Sequence, residues 1–192
     1  MREKDQKTSE EDNRMQYAIE MYFDKDSENK IMELIQKVAD AGISRKFLEW
    51  KTRPHVTLAC FNDVDEDRCR ELLDMFVQSH KKMKAHLDSV GMFTDTKTIF
   101  VSPMMSRKLY DLQADLHKIM NEFDTNGWEW YCPDNWVPHC TLALTREDEA
   151  HVFYEASNLI LYEFDKICGT YFSIGLTKIT FPVEEIYTVE LS

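Results

Sequence analysis

No stretch of about 18 consecutive apolar residues occurs in the chain, so no transmembrane helix is expected. The opening segment, MREKDQKTSEEDNR, is charged throughout and lacks the apolar core of a secretory signal, which leads to the expectation of a cytoplasmic protein. Cysteine forms no framework either. Cys60, Cys69, Cys132, Cys140 and Cys168 are odd in number and contain no CxxC pair, which argues against a disulfide scaffold or a thiolate zinc site and fits reduced thiols. Basic residues are outnumbered, 23 Lys and Arg against 35 Asp and Glu, for a net charge of −12. Gripping a long nucleic acid or an anionic membrane needs basic surface that neutralises many phosphates, so neither is an expected partner. A local site for one phosphate is not excluded by that balance.

What is present is ample apolar material: 43% of 192 residues are hydrophobic, among them 11 Phe, 8 Tyr, 4 Trp and 10 Met. That suffices for one well-packed domain, or for two small lobes sharing a core. Residues 1–14 carry four basic and five acidic side chains with no apolar periodicity and read as a flexible charged tail, leaving 15–192 as the folded unit. QYAIEMYF alternates as a strand does. Ile31, Leu34, Ile35, Val38 and Ala39 then fall on one helical face closed by Gly42. A strand HVTLACF (55–61) follows Pro54, and Asp63 or Asp65 is placed to cap a helix whose inner face is Cys69, Leu72, Leu73, Phe76 and Val77. AHLDSVGMF and TIFVSP read as strands, and Leu109 to Phe123 as a further amphipathic helix. After the aromatic loop GWEWYCPDNW comes the strand HCTLAL (139–144). Thr145 with Asp148 resembles a helix-capping pair, and strands over 170–181 and 185–191 end the chain.

The chain repeats itself. Pro54-His55-Val56-Thr57-Leu58-Ala59 and Pro138-His139-Cys140-Thr141-Leu142-Ala143 agree at five of six positions. The offset between them also pairs Ser89-Val90-Gly91 with Ser173-Ile174-Gly175, without a gap. Two copies of a β-α-β-α-β unit, packed as two lobes around a central cleft, account for this more simply than a solenoid does.

Side chains alternate along a strand, so His55 and Thr57 share one face, about 6.6 Å apart, while Val56, Leu58 and Cys60 are expected on the other. His139 and Thr141 stand likewise against Cys140, Leu142 and Leu144. If the two polar faces oppose each other, two imidazoles and two hydroxyls converge. Imidazole can act as acid or base near neutral pH, and hydroxyls can hold the non-bridging oxygens of a phosphate ester. Four residues then make a complete set for in-line phosphodiester cleavage. Adjacent strand residues face apart, so Cys140 reads as core filler rather than a nucleophile activated by His139.

The two His-hydrophobic-Thr-hydrophobic motifs, His55-Val56-Thr57-Leu58 and His139-Cys140-Thr141-Leu142, resemble the signature of the 2H phosphoesterase superfamily, in its branch of 2′-5′ RNA ligases and cyclic phosphodiesterases. The resemblance implies an α+β fold, bilobal, with mostly antiparallel sheets and a cleft that uses no metal and no cofactor. It implies that His55 and His139 act as acid and base and that Thr57 and Thr141 hold phosphate. It also implies a substrate among 2′,3′-cyclic phosphates, 2′-5′-linked oligonucleotides, ADP-ribose cyclic phosphate and cyclic oligonucleotide signals. Some members carry a basic residue close behind the second motif; here Leu144 and Thr145 intervene before Arg146.

The expected partner is thus a small nucleotide or RNA end, handled by a monomer. Other readings stand beside these. A non-catalytic nucleotide or RNA-end binding module would use the same scaffold, although a pure binder needs no acid–base pair. Cleavage of cyclic oligonucleotide signals in phage defence would change the substrate, not the chemistry. Arg53 shares the alternating face of His55 and could pair with a second phosphate or simply be solvated. Phe61 is expected on that face as a stacking candidate. Trp136 either stacks on a nucleobase or plugs the seam between lobes.

Overall fold

The structure, a computed structural model, describes residues 16–145 and 150–192, with the side chains of 124–126 excepted. The charged segment 1–14, Met15, Arg146 and the proposed capping partner Asp148 lie outside the described residues. Thr145 is described, and its hydroxyl donates to the Lys97 carbonyl at 3.2 Å.

Chain order is β1 (Tyr17–Phe23), α1 (Lys25–Asp40), α2 (Lys46–Glu49), β2 (His55–Phe61), α3 (Glu66–Ser79), β3 (Met83–Phe93), β4 (Thr98–Pro103), α4 (Arg107–Ile119), β5 (Cys140–Leu144), α5 (Ala150–Glu163), β6 (Ile167–Lys178) and β7 (Glu184–Glu190). Short 3₁₀ turns cover Asn121–Asn126 and Glu129–Tyr131 between α4 and β5. Asp24 caps α1 by accepting from the Ser27 amide, and Asp65 rather than Asp63 caps α3 by accepting from Arg68. The inner faces read from periodicity are buried as expected: Ile31, Leu34, Ile35 and Val38 on α1, and Cys69, Leu72, Leu73, Phe76 and Val77 on α3. Each fully buried aliphatic of this kind stabilises the fold by about 1.5–3 kcal/mol. The last two strands lie slightly earlier than their alternation suggests. None of the described helices is long and apolar enough to cross a membrane.

The strands form one antiparallel sheet in the order β2-β1-β6-β3-β4-β5, with β7 added to β6. The fold is therefore α+β with antiparallel pairing throughout. The order is a palindrome of the repeat, since β1, β2 and β6 correspond to β4, β5 and β3. At the junction, Ala85 faces Gly169, its own counterpart at the repeat offset, and the ladder runs outward with Lys84 opposite Thr170 and His86 opposite Cys168. An antiparallel ladder centred on a residue and its own repeat is the pairing that a local two-fold axis produces. The outer strands β2 and β5 curl round until they pack against each other.

Both halves carry the same irregularity. On β1 the register slips between Ile19, opposite Ala59, and Glu20, opposite Thr57. On β4 it slips between Ile99, opposite Ala143, and Phe100, opposite Thr141. Each is a bulge with one extra residue, Leu58 or Leu142, and a bulge reverses the side-chain alternation beyond it. The repeated Ser-x-Gly follows from the same symmetry. Gly175 lies opposite Glu20, and Gly91 lies opposite Phe100, whose ring occupies the space a side chain at Gly91 would need. A Cβ at Gly175 would stand 2.6 Å from the Tyr187 carbonyl and 2.8 Å from Cε2 of Tyr22. Gly175→Ala is therefore expected to destabilise by about 1–3 kcal/mol, the usual range for overpacking. Urea denaturation should show a lower midpoint at unchanged slope; an unchanged midpoint would contradict the close approach.

Candidate functional site

Each motif histidine is held by the residues just before it. Nδ1 of His55 lies 2.7 Å from the Arg53 carbonyl, and Nδ1 of His139 lies 2.7 Å from the Val137 carbonyl. A carbonyl only accepts, so in both rings the Nδ1 hydrogen is committed to the backbone. The intervening Pro54 or Pro138 has a fixed φ and no N–H, which presents that carbonyl to the ring. Nε2 is left as the working atom of each imidazole. His55 opens β2 and His139 immediately precedes β5, the strand that packs against β2, and both rings are half-buried.

The two rings have unlike surroundings. Nε2 of His55 lies 3.3 Å from Oε1 of Glu20 on β1, a carboxylate only 6% exposed. The other oxygen of Glu20 accepts at 3.0 Å from the Tyr22 hydroxyl. Burial, followed by the charges of Glu20 and Glu185, pushes that hydroxyl far above the ordinary tyrosine range, so it stays a donor. Around His139 stand Phe93 edge-on at 5.0 Å and Phe100 at 5.2 Å between ring centres. Burial pushes the His139 imidazole below its ordinary range; the Val137 carbonyl opposes this and the His55 charge adds to it.

Thr57 is buried and Thr141 half-buried, each on the strand face of its histidine. The Tyr131 hydroxyl faces the side chains of Thr57 and Cys60. Strict alternation predicts Cys60 in the core. Beyond the Leu58 bulge it turns instead to the side of Thr57, while Ala59 and Phe61 join the core. Phe61 is consequently not on the face of His55: it is fully buried against Phe123 at 5.9 Å.

Arg53 is engaged rather than free. Its Nε lies 2.6 Å from Glu28, an outer nitrogen lies 3.4 Å from Glu185, and the guanidinium sits 4.0 Å above the Tyr22 ring. Trp136 is 7% exposed and donates its indole N–H to the Thr57 carbonyl at 2.9 Å. The seam-filling alternative describes that position. Other groups share the task along the free edge of β2. Gln113 from α4 donates to the Leu58 carbonyl at 3.1 Å, His117 meets the same oxygen, and the Trp128 amide donates to Cys60. The aromatic loop thus seals a strand edge that would otherwise expose its carbonyls.

Sequence reasoning missed Glu20, Tyr22, Phe93 and Phe100. One signal for the first was available, a lone acidic residue inside the apolar strand YAIEMYF. No cluster of three or more His, Cys, Asp or Glu suited to a metal ion occurs among the described residues.

Cys140 is buried and is not a nucleophile activated by His139. Burial pushes the Cys140 thiol up to about 12 and raises Cys60 and Cys69 as well, whereas Cys168 is exposed. Iodoacetamide at pH 8 should label Cys168 in the folded protein and spare Cys60, Cys69 and Cys140, as read by mass spectrometry. Rapid labelling of Cys140 would contradict its burial.

The fold has relatives. E. coli LigT in its apo form superposes with a TM-score of 0.58 at 13% identity, over 93% of this chain and 98% of that one. LigT complexed with 3′-AMP gives 0.57 at 14% identity over the same shares. The crystal structure of a phosphoesterase gives 0.56 at 14%, over 93% and 99%. At these identities the likeness speaks for the fold. No curated protein sequence matches the chain. The profile of the 2′-5′ RNA ligase superfamily matches residues 27–190, a span that includes both histidine motifs. The chain belongs to the 2′-5′ RNA ligase superfamily, a group of 2H phosphoesterases.

Proposed function

We propose that the protein is a phosphodiesterase that opens a 2′,3′-cyclic phosphate or cleaves a 2′-5′-linked phosphodiester. In this reading His55 and His139 are the acid–base pair, and Thr57 and Thr141 hold the non-bridging oxygens. The observation that carries it is the matched 2.7 Å bond from each Nδ1 to the carbonyl two residues earlier. A binding module has no need of two imidazoles with both Nδ1 hydrogens committed and both Nε2 atoms reserved; acid–base chemistry does. One phosphate between two histidines needs little basic surface, which suits a chain of net charge −12. The LigT complex with 3′-AMP extends the reading to a small nucleotide substrate, by analogy of fold.

The reaction divides into one attack and one departure. One imidazole takes a proton from the incoming hydroxyl or water as its oxygen bonds to phosphorus. The other gives its proton to the ribose oxygen as the opposite P–O bond breaks. The threonine hydroxyls donate to oxygens whose charge grows on the way, where fixed donors in a partly dry site count for most.

The test is a panel of 2′,3′-cyclic nucleotides, 2′-5′ oligomers and cyclic dinucleotides, with product regiochemistry read out. Turnover should persist in EDTA. His55→Ala and His139→Ala should each lower kcat/KM on the preferred substrate by about 10²–10⁴-fold. Wild-type turnover in both variants would sink the proposal. The pH profile should be bell-shaped. The lowered His139 titration keeps that ring neutral to more acid pH, so a base at this position places the acid limb below about 6.5.

A further inference from the structure

The two halves of the site are built from one repeat but are not chemically equal, and one residue makes the difference. The bulges align Glu20 on β1 with Phe100 on β4, because each is the first residue past its slip and each faces a motif threonine. In one half a carboxylate therefore meets the histidine, and in the other an aromatic ring does.

With the Nδ1 hydrogen of His55 given to the Arg53 carbonyl, neutral His55 would present a lone pair at Nε2. A carboxylate oxygen 3.3 Å away would then repel it, lone pair against lone pair. The contact is attractive only with a proton between them. Tyr22 shows where that proton belongs. Its hydroxyl donates to the second oxygen of Glu20 and so favours the ionised carboxylate, which leaves the proton on the imidazole.

The other charged groups around His55 do not cancel this. Arg53 from the segment before β2 is taken up by Glu28 of α1 and Glu185 of β7, and its guanidinium stacks on the Tyr22 ring. From the loop before β5, Tyr131 brings a neutral hydroxyl. From the start of β5 and the residue before it come the protonated Cys140 thiol and His139. Around His139 the walls are Phe93 of β3 and Phe100 of β4.

We propose that Glu20 is a positioning residue that holds His55 as the imidazolium, making it the proton donor to the leaving oxygen and leaving neutral His139 to take the proton from the nucleophile. The proposal rests on the phosphodiesterase reading and deepens it. In the step, Nε2 of His139 removes a proton from water, the water oxygen bonds to phosphorus, and the P–O bond to ribose breaks with its electron pair on the ribose oxygen. Nε2–H of His55 protonates that oxygen. Solvent then returns a proton to His55 and takes one from His139.

A leaving group that departs unaided separates the roles. On a nucleoside p-nitrophenyl phosphodiester the phenolate leaves without a proton. His55→Ala should therefore lose less than about tenfold there, against the about 10²–10⁴-fold lost on a 2′,3′-cyclic nucleotide. His139→Ala should lose the larger factor on both. Glu20→Gln should move the alkaline limb of the pH–rate profile to lower pH and leave the acid limb in place, with Tyr22→Phe moving it the same way by less. The reverse leaving-group pattern would overturn the assignment. So would a Glu20→Gln variant that turns over faster at lower KM with an unmoved alkaline limb, because Glu20 would then be a competitor for the phosphate position.

Imidazole ¹⁵N spectra at neutral pH read the pair without catalysis. His55 should show an imidazolium and His139 a neutral Nδ1–H tautomer, and Glu20→Gln should convert His55 alone to the neutral form. A neutral His55 in the wild type overturns the proposal whatever the turnover. These spectra together with inactivity on every phosphodiester would sink the phosphodiesterase reading, and with it any assignment of catalytic roles.

Discussion

The ladder between β3 and β6 is the constraint on which the molecule turns. Because Ala85 pairs with Gly169, its own repeat, the axis relating the two halves passes through a hydrogen-bonded backbone and is as rigid as the sheet itself. Everything outward of that pair follows in mirrored order, β6-β1-β2 on one side and β3-β4-β5 on the other, until the sheet has curled enough for β2 and β5 to meet. Two histidines from opposite halves of the chain become neighbours with no contact designed between them. Their meeting is a property of the pairing register, and a slip of one residue at the axis would turn one set of side chains to the wrong face.

The bulges refine what the axis sets up. A strand of strict alternation would place Cys60 in the core and Phe61 beside His55 and Thr57. The extra residue at Leu58 exchanges them, so that a small thiol lies under Tyr131 and a phenyl ring fills the space against Phe123. The free edge of β2 is then closed by side chains rather than by another strand. Gln113, His117 and Trp136 spend their polar atoms on the carbonyls of Leu58 and Thr57. The wall carrying His55 and Thr57 is therefore fixed on one edge by β1 and on the other by the α4 and loop side chains.

Much of this was legible in the residues, for reasons that can be named. The inner faces of α1 and α3 follow from periodicity within one helix, and the pairing of His55 with Thr57 follows from alternation over three residues, so both are local. The repeat exposed the second motif and its glycine partners. The bulge was not legible, because it belongs to the register between two strands and neither strand alone encodes it. Glu20 was hidden for a related reason. The offset that carries His55 to His139 carries Glu20 to Met104, so it passes over Phe100, the true counterpart opposite Thr141. Trp136 is conspicuous as an aromatic beside a motif, but its indole N–H is already required by a backbone carbonyl.

A duplicated fold carries a hazard that the paired Glu20 and Phe100 positions address. Were both halves identical, a phosphodiester could lie across them in two directions of equal energy, and half of all binding events would present the wrong bridging oxygen to each ring. With a carboxylate on one flank and phenyl rings on the other, the two directions cease to be equivalent. Under the proposed phosphodiesterase reading, that inequality gives a phosphodiester one preferred direction across the two halves, which the symmetric scaffold alone lacks.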